Sequence, residues 1–170
     1  MKRFLIAVML VASSGLGAQV QAQVSDVQSL DKQDVPRAVA EQVTCDGPDI
    51  DMMRRAFAGG IVFTARCPGN NANYIQSLVY ATDAQGTKAR LLMFPRPGGD
   101  PADSVSNIRW FPDTHEVTEL FVDQESKICR TEGRWRIEAE GQPKLIFWRQ
   151  TRDCDGKKGW RIVTDKRARR

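Results

Sequence analysis

The sequence predicts an α+β domain dominated by an antiparallel β-sheet, a meander either open or closed into a barrel, with two short N-terminal helices and two disulfides. Three observations carry this reading. Residues 134–139 alternate strictly, with Trp135, Ile137 and Ala139 opposite Arg134, Arg136 and Glu138, and a period of two with one apolar side marks a half-buried strand. After Gly60, turn residues recur at short, regular intervals and separate eight strand candidates, the pattern of a small antiparallel architecture. Finally, the four cysteines all lie downstream of a segment that reads as an export leader, and an even count in an oxidising compartment favours disulfides.

Residues 1–22 read as a secretory signal peptide. Lys2 and Arg3 form its positive start, Phe4 to Val11 its apolar core, and Val20-Gln21-Ala22 the small-residue approach to a cut before Gln23. The apolar run is much shorter than the ~20 residues of a membrane span. Cleavage after Ala18 is the alternative. Residues 23–34 are polar and expected to be a mobile lead-in to a single β-rich domain over 35–165.

Asp34-Val35-Pro36 has the form of a helix start, with an acidic cap and Pro in the first turn. The expected helix runs to about Val43, with Val35, Val39 and Val43 four apart, and ends at Gly47-Pro48. A second helix is expected from Ile50 to Ala58, stopped by Gly59-Gly60. Strands then follow over 61–67, 74–82 and 89–94. Pro95–Pro101 is the one long loop. Residues 108–111 and 117–122 make a hairpin across Pro112-Asp113-Thr114. The last three strands are 134–139, the nearly all-apolar 144–149, and 159–164, the latter two joined at Asp155-Gly156, a hairpin signal.

After the leader, 148 residues remain, a length suited to one domain. They carry 23 basic and 21 acidic side chains, and four of the cations (Lys166, Arg167, Arg169, Arg170) stand in the last five positions. The high isoelectric point therefore belongs to the basic tail, 166–170. It implies no general nucleic-acid surface. The tail is suited to weak contact with anionic surfaces.

Several chemistries lack their residues. Gly-x-Ser-x-Gly is absent, His115 is the single histidine, and no Cys-x-x-Cys occurs, so neither a serine triad nor a zinc site is indicated. No metal or cofactor is expected. Asp153-Cys-Asp155-Gly156 lacks the third acidic position and closing Glu of a calcium loop. Three disulfide pairings are possible. Local loop closure favours Cys45–Cys67 and Cys129–Cys154.

The pattern with functional content is the interleaving of arginine and tryptophan at Arg109-Trp110, Arg134-Trp135-Arg136, Trp148-Arg149 and Trp160-Arg161. Alternation sends Trp135 and Trp160 inward. If Leu145 and Phe147 join them, the pleat places Trp148 on the outer face with Arg134, Arg136, Lys144 and Arg161. Trp148 with Arg134, Arg136 and Arg161 is then the expected ligand site, because guanidinium groups beside an indole suit an anionic or ring-bearing ligand. The competing expectation is that the helices cover Trp148.

Phe63-Thr-Ala-Arg-Cys67, Leu91-Leu-Met-Phe-Pro-Arg-Pro97 and Trp148-Arg-Gln-Thr-Arg-Asp-Cys-Asp-Gly156 with Gly159-Trp160 resemble phrases of small exported Gram-negative bacterial proteins. Their domain is catalogued as one of unknown function, number eleven seventy-six. The resemblance spans most of residues 35–163, and members are often longer. It implies export and disulfides, with no established activity or catalytic residues. The expectation is a periplasmic or secreted, non-enzymatic binding module for an envelope ligand. The alternative is an inhibitor of an envelope or foreign hydrolase, resembling lysozyme inhibitors and presenting the Pro95–Pro101 loop.

Overall fold

The computed structural model describes residues 27–45, 50–68, 73–123, 125, 129–151 and 159–166. The expected signal peptide, Cys154, the Asp155-Gly156 turn and tail residues 167–170 lie outside them.

Two antiparallel sheets stack on one another. The first contains β1 (Gln28–Leu30), β2 (Asp51–Phe57), β3 (Gly60–Arg66), β4 (Ile75–Ala81) and β5 (Arg90–Leu91) in that spatial order, with β6 (Ser104–Ser106) also paired to β4. The second is a meander of β7 (Arg109–Phe111), β8 (Glu116–Val122), β9 (Arg130–Ile137), β10 (Pro143–Thr151) and β11 (Trp160–Asp165), each paired with its neighbours in sequence. The β-dominant class expected from alternation is present. It takes the form of two sheets sharing a core.

That core explains the stacking. Leu78 and Tyr80 of β4, with Phe57, Val62, Leu92 and Phe94, pack in one cluster with Val117, Trp135, Ile137 and Trp148 of the second sheet. Phe94 meets Trp135 edge to face with centroids 5.2 Å apart, and Phe57 meets Trp110 at 5.0 Å, the geometry aromatic quadrupoles favour. The opposite side of the first sheet presents Met52, Phe63, Ala65, Val79 and Ala81, which the N-terminal segment covers with Leu30, Val35, Val39 and Val43. β3 and β4 are thus apolar on both faces because each face has a cover. The Cys45–Cys67 disulfide, with Cα atoms 5.3 Å apart, ties this segment to the end of β3.

An asparagine pair joins the sheets at one end. The Asn73 amide donates to the Val122 carbonyl at 2.7 Å and accepts from the Val122 N–H at 2.9 Å, imitating a strand partner. Asn107 donates to the Leu120 carbonyl at 2.8 Å. Side-chain amides thereby satisfy backbone groups that a buried strand end would otherwise leave unmade.

Three sequence expectations change. The second helix is strand β2: Ala58 and Gly59 both have positive φ, 51° and 78°, the two-residue turn that twists correctly for a hairpin with β3. Residues rich in helix formers (Met52, Met53, Arg54, Arg55, Ala56) are held extended by pairing with β3, and the first three also with β1, since tertiary context overrides weak propensity. The first helix is the single turn Arg37–Ala40. Within the expected mobile lead-in, Gln28–Leu30 is a strand, and Arg54 donates to the Gln28 side chain. The expected Cys45–Cys67 disulfide is present; Cys129 carries no free thiol, and its expected partner Cys154 lies outside the described residues.

Candidate functional site

The second sheet has an inner face against the first sheet and an outer face, and two irregularities decide what each carries. Between Leu145 and Phe147 the β10–β9 register slips: Leu145 opposes Trp135, but Phe147 opposes Arg134 and Trp148 opposes Gly133. One extra residue in one strand reverses the pleat from that point on. Trp148 therefore shares the face of Trp135, is 7 % exposed, and packs edge-on against it with centroids 5.9 Å apart. The expectation of an outer Trp148 is overturned, and Phe147 takes the outward phase instead. A second slip between Trp148 and Arg149 sets Arg149 opposite Ile162.

The same slips rearrange β11. Trp160, expected in the core, lies on the outer side opposite Thr151, under the Arg149 guanidinium at 4.3 Å from its ring centroid. Ile162, also expected inside, is 58 % exposed. Arg161 opposes Gln150 in the other phase and does not join the outer face.

Of the four expected ligand-site residues, Arg134 and Arg136 are brought together. Both pair with the buried Glu116 carboxylate, Arg136 at 2.8 Å, and Arg134 also lies over Phe111 at 4.7 Å. Trp148 and Arg161 are not part of the constellation. The residues that complete it are Phe111, Arg149, Glu132 and Trp160, with Arg149 Nε donating to Glu132 at 2.7 Å. The Trp-Arg dipeptides did mark this region. Alternation alone assigned the phases wrongly, because a bulge leaves no mark in an apolar run such as Leu145-Ile-Phe-Trp148.

By register, the outer face holds Arg109, Arg130, Arg134, Arg136, Lys144 and Arg149 against Glu116, Glu132 and Asp165. Glu116 and Glu132 anchor guanidinium groups and Glu138 pairs with Lys144, so carboxylates fix these cations while the cations of the face still outnumber them. Phe111, at 38 % exposure, and Ile162 add apolar area. The surface is aromatic and basic.

The inner face contains a charge that sequence reading missed. Glu119 is 1 % exposed, accepts from the Ser106 N–H at 3.2 Å, and lies 3.4 Å from Arg96 Nη2. Burial pushes its carboxyl pKa up, against the opposing influence of Arg96 and the Ser106 hydrogen bond. Arg96 also lies over Trp148 at 5.9 Å, and the Trp135 indole donates to the Pro95 carbonyl at 2.8 Å. Together with the Phe94–Ala102 bridge, these contacts clamp the base of the Pro95–Pro101 loop. Its tip, Gly98 to Pro101, is exposed.

Among the described residues no cluster of three or more His, Cys, Asp or Glu side chains is placed to hold a metal ion, and no helix is long and apolar enough to cross a membrane. The disulfide is compatible with an oxidising, extracytoplasmic compartment. No protein-family model, curated protein or solved structure matches this chain.

Proposed function

We propose that the protein is an exported, non-enzymatic binding module of the cell envelope, and that it receives an anionic ligand on the outer face of the second sheet. One observation carries this reading: six cations interleave with Phe111 and Trp160 on a single face that Glu116, Glu132 and Asp165 share, with Glu138 pairing to Lys144. Guanidinium groups held by carboxylates lose little side-chain freedom on binding, and the rings beside them offer stacking area. Cleavage of the leader, periplasmic or secreted residence, and kinship with the exported domain of unknown function belong to the same proposal.

The test is titration of residues 23–170 with phosphatidylglycerol vesicles and with dextran sulfate at low salt, followed by tryptophan fluorescence. Charge reversal at two exposed positions, Arg109→Glu with Lys144→Glu, is expected to weaken binding at least tenfold. Unchanged affinity in that folded variant overturns the proposal.

A second reading, inhibition of a hydrolase, is favoured by the clamped Pro95–Pro101 loop. An ordered, projecting loop loses little conformational freedom when inserted into a cleft. Replacing Gly98 to Asp100 with a shorter turn separates the two readings: it abolishes inhibition and leaves anion binding intact.

A further inference from the structure

Away from the outer face, one further cation stands beside a cleft. Where the edge of the first sheet meets the β9–β10 turn, a cleft of about 270 Å³ is lined by Arg90, Leu91, Met93, Gly141, Gln142 and Pro143. The guanidinium of Arg90 has an amino group, Nη2, that is shielded from solvent and has no hydrogen-bond acceptor among the described residues. Such orphaned donors are uncommon in folded proteins, because desolvation without a hydrogen bond is unfavourable.

The surroundings hold this guanidinium in place without neutralising it. Its carbon lies 5.7 Å from the centre of the Tyr80 ring. Tyr80 is itself fixed from the other side by the turn: a Cβ on Gly141, whose φ is +75°, would come within 2.3 Å of the ring. The nearest acidic residues along the turn do not serve it. Glu138 pairs with Lys144 at 2.9 Å, and Glu140 forms no ion pair among the described residues. Leu91, Met93 and Pro143 give the cleft apolar walls, with Met93 43 % exposed. The Gln142 amide is the remaining polar side chain.

We propose that this cleft binds a small organic carboxylate, with the oxyanion on Arg90 and an apolar body against Met93 and Pro143. The planar fork of a guanidinium matches a carboxylate. The volume falls just below the ~300–1,000 Å³ typical of larger ligands, which restricts the guest to a single ring or a short chain. The site is separate from the outer face and takes a monomeric guest.

Benzoate, benzyl alcohol and inorganic phosphate are the probes, with amide chemical shifts of Leu91, Gly141 and Gln142 as the readout. Benzoate is expected to shift these amides saturably, whereas benzyl alcohol and phosphate bind at least tenfold more weakly. Arg90→Gln removes the response. Met93→Glu leaves Arg90 in place but sets a competing carboxylate in the cleft, and it too weakens benzoate at least tenfold; Met93→Gln does not. The outer-face variant, Arg109→Glu with Lys144→Glu, binds benzoate like wild type. The proposal is overturned if benzoate shifts survive in Met93→Glu, if they map to Phe111 and Trp160, or if phosphate competes equally.

Discussion

The indole of Trp148 stands edge-on to that of Trp135, 5.9 Å between centroids, and both belong to the cluster between the sheets. The two rings come from neighbouring strands and face the same way only because β10 takes up one extra residue before reaching Trp148.

Both tryptophans are therefore core residues of equal standing. Trp148→Ala and Trp135→Ala are each expected to lower stability by ~3–5 kcal/mol, the range for large-to-small core changes. Because the rings touch, the double variant should cost less or more than the sum by at least 0.5 kcal/mol. Urea denaturation of the three variants measures this. A Trp148→Ala protein with a near wild-type midpoint would show that the ring lies outside the core.

Gly133 makes room for that pair. A Cβ there would lie 2.3 Å from the far edge of the Trp135 ring, and the ring is fully buried. Gly133→Ala should destabilise by ~1–3 kcal/mol through overpacking, while an alanine at exposed Gly99, with open space around its Cβ position, should change little. Thermal melts of the two variants test the contrast.

Glu119 makes stability depend on pH. Its folded-state pKa is raised, first by burial, from the ordinary 4.5. The folded protein therefore holds that proton more tightly than the unfolded chain does. The resulting stabilisation is complete below about 4.5 and is lost as pH rises through the raised value. Glu119→Gln has no such proton to lose. Its stability relative to wild type should rise between pH 4 and pH 8, as read from denaturation midpoints; parallel profiles would contradict the assignment.

The Cys45–Cys67 bridge closes a loop of sequence separation 22, which corresponds to about 3 kcal/mol of unfolded-state restriction in the chain-entropy model. Replacing both cysteines with alanine should lower stability by up to that amount and raise proteolysis of residues 27–45 first, since the bridge ties that segment to β3. Alkylation without reductant, followed by intact-mass measurement, should find no modified cysteine in residues 23–170 produced in an oxidising compartment.

Legibility followed local regularity. β9 was readable because Trp135 and Ile137 alternate with arginines, and β4 because Leu78 and Tyr80 oppose Val79 and Ala81. β2 was misread because its side chains favour helix in isolation and its extended form comes from β1 and β3. The outer face was half readable: Arg134 and Arg136 follow simple alternation, whereas the exchange of Trp148 for Phe147, and the outward turn of Trp160, depend on register slips in β10 and β11. Those slips arise from pairing between strands, which no single strand encodes.

The register slip in β11 has one further effect. A sheet border with open N–H and C=O groups invites another chain to add to it. β11 is the longest border strand, and its ladder with β10 is interrupted near Val163, while Arg161 and Lys166 place cations along or beside it. The other borders, β1, β5, β6 and β7, are three residues or shorter. The chain thus offers no long, flat template for strand addition among its described residues. Restoring a straight β11 by deleting Val163 should make the purified protein aggregate more readily on mild heating.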